Sequence, residues 1–320
     1  MSDSDPGQAT TVAALGAGLI GRSWIALFVA NGLTVRAYDT DPNAEDLTKA
    51  AITSAWPTLV QLGLGSGEPR TDAVTFFDDS AEAVAGAGFV QESVPERIEI
   101  KHDLYRRIEP LLDPHAIVAS SASGLTLSEM QQGWQDPSRF VLGHPFNPPH
   151  LIPLVEVMGN DATAPGVVDD ARAFYESIGK VTIEVKKEVP GHVANRLQAA
   201  LWREAIHLVL EGVASVEDVD TAVASGPGQR WAVMGPTRLF HLGADDAGLT
   251  AFCERYSVSF NRWWDDLGDP RLTDQTSAVL IDGIAEATAG STVAELTEIR
   301  DQRLAEVIKA THPDLGSTAR

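Results

Sequence analysis

Short apolar runs rich in β-branched residues alternate with helically periodic stretches over roughly the first 188 residues. Strand candidates fall at 11–15, 33–38, 89–90, 116–119, 140–143, 154–158 and 181–185. Strands separated by helical segments predict βαβ crossovers and a parallel sheet covered on both faces. From Gly191 the pattern changes. Val193, Leu197, Leu201, Ala205, Leu208 and Val209 recur at three- and four-residue spacing, which predicts one apolar face of a long helix. Pro190-Gly191 marks its start and a domain boundary. Helical patterns return at 216–224, 249–264 and 277–310 with little strand signal. The expected organisation is a flexible tail over 1–10, a doubly wound α/β domain over 11–189 and an all-helical domain over 190–320.

Composition narrows the partners. The chain has 320 residues, 44% apolar and 22% charged, as in ordinary globular proteins. Its formal charge of −21 opposes binding to nucleic acid or anionic membranes, which require clustered cations. The single cysteine, Cys253, excludes an intrachain disulfide and a multi-thiolate metal site, and His102, His207 and His241 show no ligand spacing, so no metal is expected. Residues 1–10 contain no Lys or Arg and do not read as a signal peptide, and no apolar run approaches the ~18 residues of a membrane span. A cytoplasmic location is expected.

Gly16, Gly18 and Gly21 form a GxGxxG sequence directly after the first strand candidate and at the start of a helix. The first glycine permits the tight turn, the second lets backbone approach a pyrophosphate, and the third allows close helix–strand packing. The N–H groups around Leu19 and Ile20 then face the phosphates. Asp39 follows the second strand candidate, 18 residues after Gly21, where a carboxylate accepts from ribose hydroxyls and repels a 2′-phosphate. Together these predict a Rossmann-like domain that uses NAD.

A second constellation carries chemistry. His144-Pro145-Phe146-Asn147-Pro148-Pro149 is followed by Glu156, twelve residues after the histidine and within the apolar run Leu154-Val155-Glu156-Val157. A carboxylate in such a run needs a partner, and His144 is a natural one. A His–Glu pair is a general base with an orienting group, suited to taking a proton from an alcohol as hydride leaves.

With these motifs the chain resembles the L-3-hydroxyacyl-CoA dehydrogenase superfamily over most of its length. The resemblance rests on Gly16 to Gly21, Ser120-Ser121-Ala122-Ser123-Gly124, His144 to Pro148, Glu156, and Pro190-Gly191-His192-Val193-Ala194-Asn195-Arg196. It implies that His144 is the base and Glu156 its partner, and that Ser123 and Asn195 hydrogen-bond the reacting oxygen of the substrate. It also implies that Glu96 and Lys101, in and after Glu92-Ser93-Val94-Pro95-Glu96, reach the nicotinamide side of NAD, with Asn147 touching the cofactor. Ser121 and Gly124 depart from the family's usual turn.

Substrate class is read from the helical half. Gly226-Pro227-Gly228-Gln229-Arg230-Trp231-Ala232 before Met234-Gly235-Pro236 is similar to the L-gulonate 3-dehydrogenase (lambda-crystallin) and L-carnitine dehydrogenase branches. Phe252-Cys253-Glu254-Arg255-Tyr256-Ser257 leans to the gulonate branch and Trp202-Arg203-Glu204-Ala205 to the carnitine branch. No Lys or Arg lies between Lys49 and Arg70, where a CoA site would want cations. A small free 3-hydroxy acid, L-gulonate-like, is the expected substrate, with Arg230 holding its carboxylate. An acyl-CoA is the alternative, then carnitine, whose quaternary ammonium wants an aromatic cage that the sequence does not place. A non-catalytic NAD-binding or structural protein is disfavoured by Ser123, His144, Glu156 and Asn195 occurring together. The resemblance further implies a homodimer formed through the helical half, with Tyr256, Trp263 and Trp264 in core or interface.

Overall fold

The computed structural model describes residues 10–313 and 315. The tail expected over 1–10 lies, Thr10 apart, outside the described residues. Among the described residues the strands β1 (Thr11–Leu15), β2 (Thr34–Tyr38), β3 (Val74–Phe76), β4 (Phe89–Glu92), β5 (Ile117–Ser120), β6 (Phe140–Pro145), β7 (Leu154–Met158) and β8 (Val181–Glu184) form one sheet. Their order is β3-β2-β1-β4-β5-β6-β7-β8. Every neighbouring pair is parallel except β6 and β7. The reason is chain length: the link over 146–153 is too short for the dozen or more residues of a parallel crossover, so the chain must turn back.

Six helices, α1 (Leu19–Ala30), α2 (Ala44–Gln61), α3 (Ser80–Val84), α4 (Ile98–Ile108), α5 (Leu127–Gln131) and α6 (Val167–Ser177), connect the strands. One sheet face packs against α1, α2 and α6 through Trp24, Phe28, Ile52, Leu59, Phe174 and Tyr175. There the Phe89 and Phe174 rings stack with centroids 3.8 Å apart. The opposite face packs against α3, α4 and α5 through Val84, Leu104, Tyr105, Ile108, Leu127 and Met130. With both faces covered, every residue of β4, β5 and β6 is buried, including the polar Gln91, Glu92, Ser120 and His144.

The remaining helices are α7 (Ala194–Leu210), α8 (Val216–Ser225), α9 (Pro227–Val233), α10 (Pro236–His241), α11 (Gly248–Asp266), α12 (Asp274–Ala287) and α13 (Val293–Thr311). The chain divides into two compact units, Met1–Ala194 with Asp301–Arg320, and Asn195–Arg300. This differs from a helical domain running without return from 190 to 320. Ala305 and Ile308, one turn apart on α13, are buried in the core of the first unit beside α1 and α2 residues. Helical periodicity identifies such a stripe but not the surface it covers.

In the second unit α8 and α12 approach closely at Gly283, where a Cβ would lie 2.4 Å from Val216 Cγ2. Phe240, Phe252 and Phe260 pack ring to ring between α10 and α11, with Tyr256 against Phe252. Trp263 and Trp264 contact Phe260 but remain 56% and 63% exposed, so they are not core residues of this chain. No described helix is long and apolar enough to cross a membrane.

Candidate active site

The glycine loop follows β1. Gly16 has φ +89°, and a Cβ there would lie 2.7 Å from the Ser93 carbonyl group. A Cβ at Gly21 would stand 1.8 Å from the Gly16 carbonyl oxygen. Both positions are glycine because the chain itself fills the space. Gly18 differs: nothing lies within 4 Å of where its Cβ would be, which leaves that face open to an incoming group. Gly18 is also the N-cap of α1 and supplies no side-chain cap, so the first-turn N–H groups at Leu19 and Ile20 keep their capacity for phosphate.

Asp39 stands directly after β2, accepting from the Ala17 N–H at 2.5 Å and the Asp41 N–H at 2.8 Å. The carboxylate is thereby fixed beside the glycine loop. The nearby cation, Arg36, donates to the Glu82 and Ala83 carbonyls and lies 4.0 Å over the Phe77 ring. These residues fit NAD: an open pyrophosphate cradle and a carboxylate for ribose hydroxyls, with Arg36 committed elsewhere.

His144 and Glu156 are direct partners across β6 and β7. The hairpin register therefore converts a twelve-residue spacing into contact. His144 Nδ1 lies 2.8 Å from Glu156 Oε2, and the side chains are 7% and 1% exposed. Burial pushes the Glu156 carboxyl up, but the hydrogen bond from His144 and the N–H groups of Ala194 and Val193 outweigh it and hold the group below the usual carboxylate range. Those two N–H groups reach Oε1 at 3.0 and 2.8 Å. Because the carboxylate accepts, Nδ1 carries the proton and Nε2 is left as a proton acceptor.

Ser123 lies in the turn after β5, and Glu96 organises that turn. Its carboxylate accepts from the Ser123 N–H at 2.8 Å, Ser123 Oγ at 2.9 Å, the Leu125 N–H at 3.0 Å and the Gly124 N–H. Burial pushes the Glu96 carboxyl up, yet the Gly124 and Leu125 N–H groups and Ser123 hold it below the usual range. A depressed carboxyl contributes stability that is fully present above its unfolded value, near 4.5, and is lost as pH falls through the folded value. Glu96→Gln is therefore expected to flatten the fall of Tm on acidification below about pH 4.5. Thermal unfolding across that range checks this, and an unchanged acid slope would contradict it.

Lys101 lies in the first turn of α4. It is 1% exposed, and its ammonium lies 2.6 and 2.8 Å from the two carboxylate oxygens of Glu92. Tyr105 Oη and Ser120 Oγ donate to the same carboxylate. Glu92 is fully buried, and a buried carboxylate holds its cation tightly because both charges have left water. Glu96 likewise spends its carboxylate on the serine turn.

Asn147 is exposed on the β6–β7 loop. Lys180, buried, donates to the carbonyls of Pro149 and Ile152 in that loop, and the His150 N–H donates to Ser23 Oγ of α1 at 2.9 Å. The loop carrying Asn147 is thus fastened to the helix that follows the glycine turn. Asn195 and Arg230 belong to the second unit. Asn195 follows Ala194, whose N–H reaches Glu156, and the exposed Arg230 on α9 makes no ion pair among the described residues. His192, for which the sequence gives no role, is buried with its ring against His144. Among the described residues no cluster of three or more His, Cys, Asp or Glu could hold a metal ion.

A sheet-borne dinucleotide cradle and a buried His–Glu pair define an NAD-dependent oxidoreductase acting on a CH–OH group. Residues 11–189 match the NAD binding domain of 3-hydroxyacyl-CoA dehydrogenase, and residues 191–278 match its C-terminal domain. The chain belongs to the 3-hydroxyacyl-CoA dehydrogenase family. It is 44% identical over 308 residues to an L-carnitine dehydrogenase of Streptomyces coelicolor, covering 96% of both chains. It is also 44% identical over 305 residues to an L-carnitine dehydrogenase of Nocardiopsis dassonvillei, covering 95% of this chain and 92% of the other. Among solved structures, 5-formyl-3-hydroxy-2-methylpyridine 4-carboxylic acid 5-dehydrogenase, an NAD+ dependent dismutase, is similar with TM-score 0.78 and 34% identity, covering 94% of this chain and 98% of that one.

Proposed function

We propose that the protein oxidises the hydroxyl-bearing carbon of a small free 3-hydroxy acid of the L-carnitine class to the 3-oxo acid. The observation that carries this reading is the buried His144–Glu156 pair, whose Nε2 is left as a proton acceptor. NAD, when bound, supplies the hydride acceptor. His144 Nε2 takes the hydroxyl proton, and Glu156 keeps the Nδ1–H tautomer and stabilises the imidazolium that forms. Ser123 and Asn195 hydrogen-bond the reacting oxygen, and Arg230 holds the substrate carboxylate in a two-point grip. Gly16, Gly18, Leu19, Ile20, Gly21 and Asp39 bind the cofactor, and Asn147 orients it.

The high identity over nearly full length to proteins named L-carnitine dehydrogenase favours carnitine over the L-gulonate-like acid expected from sequence. The absence of Lys and Arg between Lys49 and Arg70 argues against a CoA ester. Exposed Leu197, Leu201 and Trp202 on α7 support a homodimer, and one cysteine with a charge of −21 suits the cytoplasm. The test is kcat/KM for L-carnitine, L-gulonate and 3-hydroxybutyryl-CoA. L-carnitine is expected to exceed the other two by about a hundredfold or more. A CoA ester or L-gulonate as the best substrate would overturn the carnitine assignment.

Asp39 sets cofactor choice in this reading. Asp39→Ser removes the ribose hydrogen bonds and the repulsion of a 2′-phosphate, so KM for NAD should rise about tenfold while use of NADP improves. Initial rates with both cofactors check this. A wild-type preference for NADP would contradict it.

A further inference from the structure

The turn before α7 contains two successive left-handed residues, Gly191 at φ +76° and His192 at φ +50°. Glycine suits that backbone. A ring-bearing residue holds it only where its surroundings enforce it. The surroundings of His192 are specific: its side chain is buried, 3% exposed, and its ring centroid lies 5.0 Å from that of His144. Its Nε2 is 3.3 Å from the Ala122 carbonyl oxygen. A carbonyl only accepts, so Nε2 carries the proton and Nδ1 carries a lone pair. Nδ1 is itself buried and meets no donor or acceptor among the described residues. A charged ring would place a second N–H there with nothing to receive it. Burial also pushes this imidazole below the usual histidine range.

The next two residues complete the arrangement. The N–H groups of Val193 and Ala194 donate to Glu156 Oε1. One short turn therefore grips both parts of the site: Ala122, next to Ser123, through a side chain, and Glu156 through the backbone. We infer that His192 is a positioning residue for the reaction: as a neutral Nε2–H donor it ties the Ser123 turn to the turn that holds Glu156. The inference rests on the reading of His144 as base.

Two substitutions separate donor from ring. His192→Gln keeps an amide N–H at about the reach of Nε2, whereas His192→Phe keeps the ring and loses the donor. kcat is expressed per NADH-binding site, so that inactive protein drops out, on whichever of the three substrates wild type turns over. The Phe variant is expected to lose about tenfold or more with NADH Kd within about twofold, and the Gln variant to stay within about threefold of wild type. Wild-type kcat in the Phe variant, or equal losses in both variants, would overturn the inference. If the Phe variant does not fold, the Gln variant and the imidazole 15N spectrum of wild-type protein decide. At neutral pH His192 should show a protonated Nε2 and a bare Nδ1; the other tautomer, or a charged ring, overturns the inference. His144→Ala measured alongside keeps the readings apart: wild-type turnover there sinks the assignment of the base, whereas the spectrum judges His192 alone.

Discussion

His144→Ala should lower turnover by about 10² to 10⁴ while NADH binds almost as in wild type. The size follows from what is removed. Nε2 is the proton acceptor of a pair buried to 7% and 1% exposure, so water cannot readily stand in as an equally positioned base. NADH binding is spared because the glycine loop and Asp39 are built around β1, α1 and β2, and Asp39 is held by the Ala17 and Asp41 N–H groups, not by His144. Steady-state rates with a fluorescence titration of NADH check both halves. Unchanged turnover would remove the base from the mechanism.

Arg230→Ala should cost about 2–5 kcal/mol in kcat/KM for a free hydroxy acid, with KM for NAD almost unchanged. A chain of net charge −21 must offer a local cation to an anionic substrate, and Arg230 is exposed on α9 without an ion pair among the described residues. A guanidinium matches a carboxylate through two parallel hydrogen bonds, which fixes the angle of the neighbouring hydroxyl carbon. Arg230→Lys should recover only part of the loss, because an ammonium is a point charge without the planar fork. If the Ala variant handles the acid normally, the carboxylate is held elsewhere.

Much of this was legible in the sequence because the decisive signals are local. Gly16, Gly18 and Gly21 between a strand and a helix, followed by Asp39 after the next strand, specify by spacing alone the glycine turn with a carboxylate beside it that the structure shows. The contact between His144 and Glu156 was readable as chemistry, an acid in an apolar run, but its cause is the β6–β7 register, which no periodicity gives. The reversal of β7 and β8 was missed because a buried strand reads alike in either direction. The pairing of Lys101 with buried Glu92, nine residues earlier, was not legible, because it depends on both side chains leaving water. The surroundings of His192 were not legible, because they depend on a left-handed backbone and on the carbonyl of Ala122, which lies 70 residues earlier in the chain. The partner of α13 was invisible for the same reason.

The most direct test of the central claim is a single turnover. Wild-type enzyme in excess over L-carnitine is mixed with NAD in weakly buffered indicator, and reduced-nicotinamide absorbance is followed together with proton release, with His144→Ala run in parallel. The account predicts one NADH and one released proton per L-carnitine in wild type, with NADH formation slowed by about 10² or more in the variant. No reduced nicotinamide from L-carnitine, or equal rates in the two proteins, would contradict it.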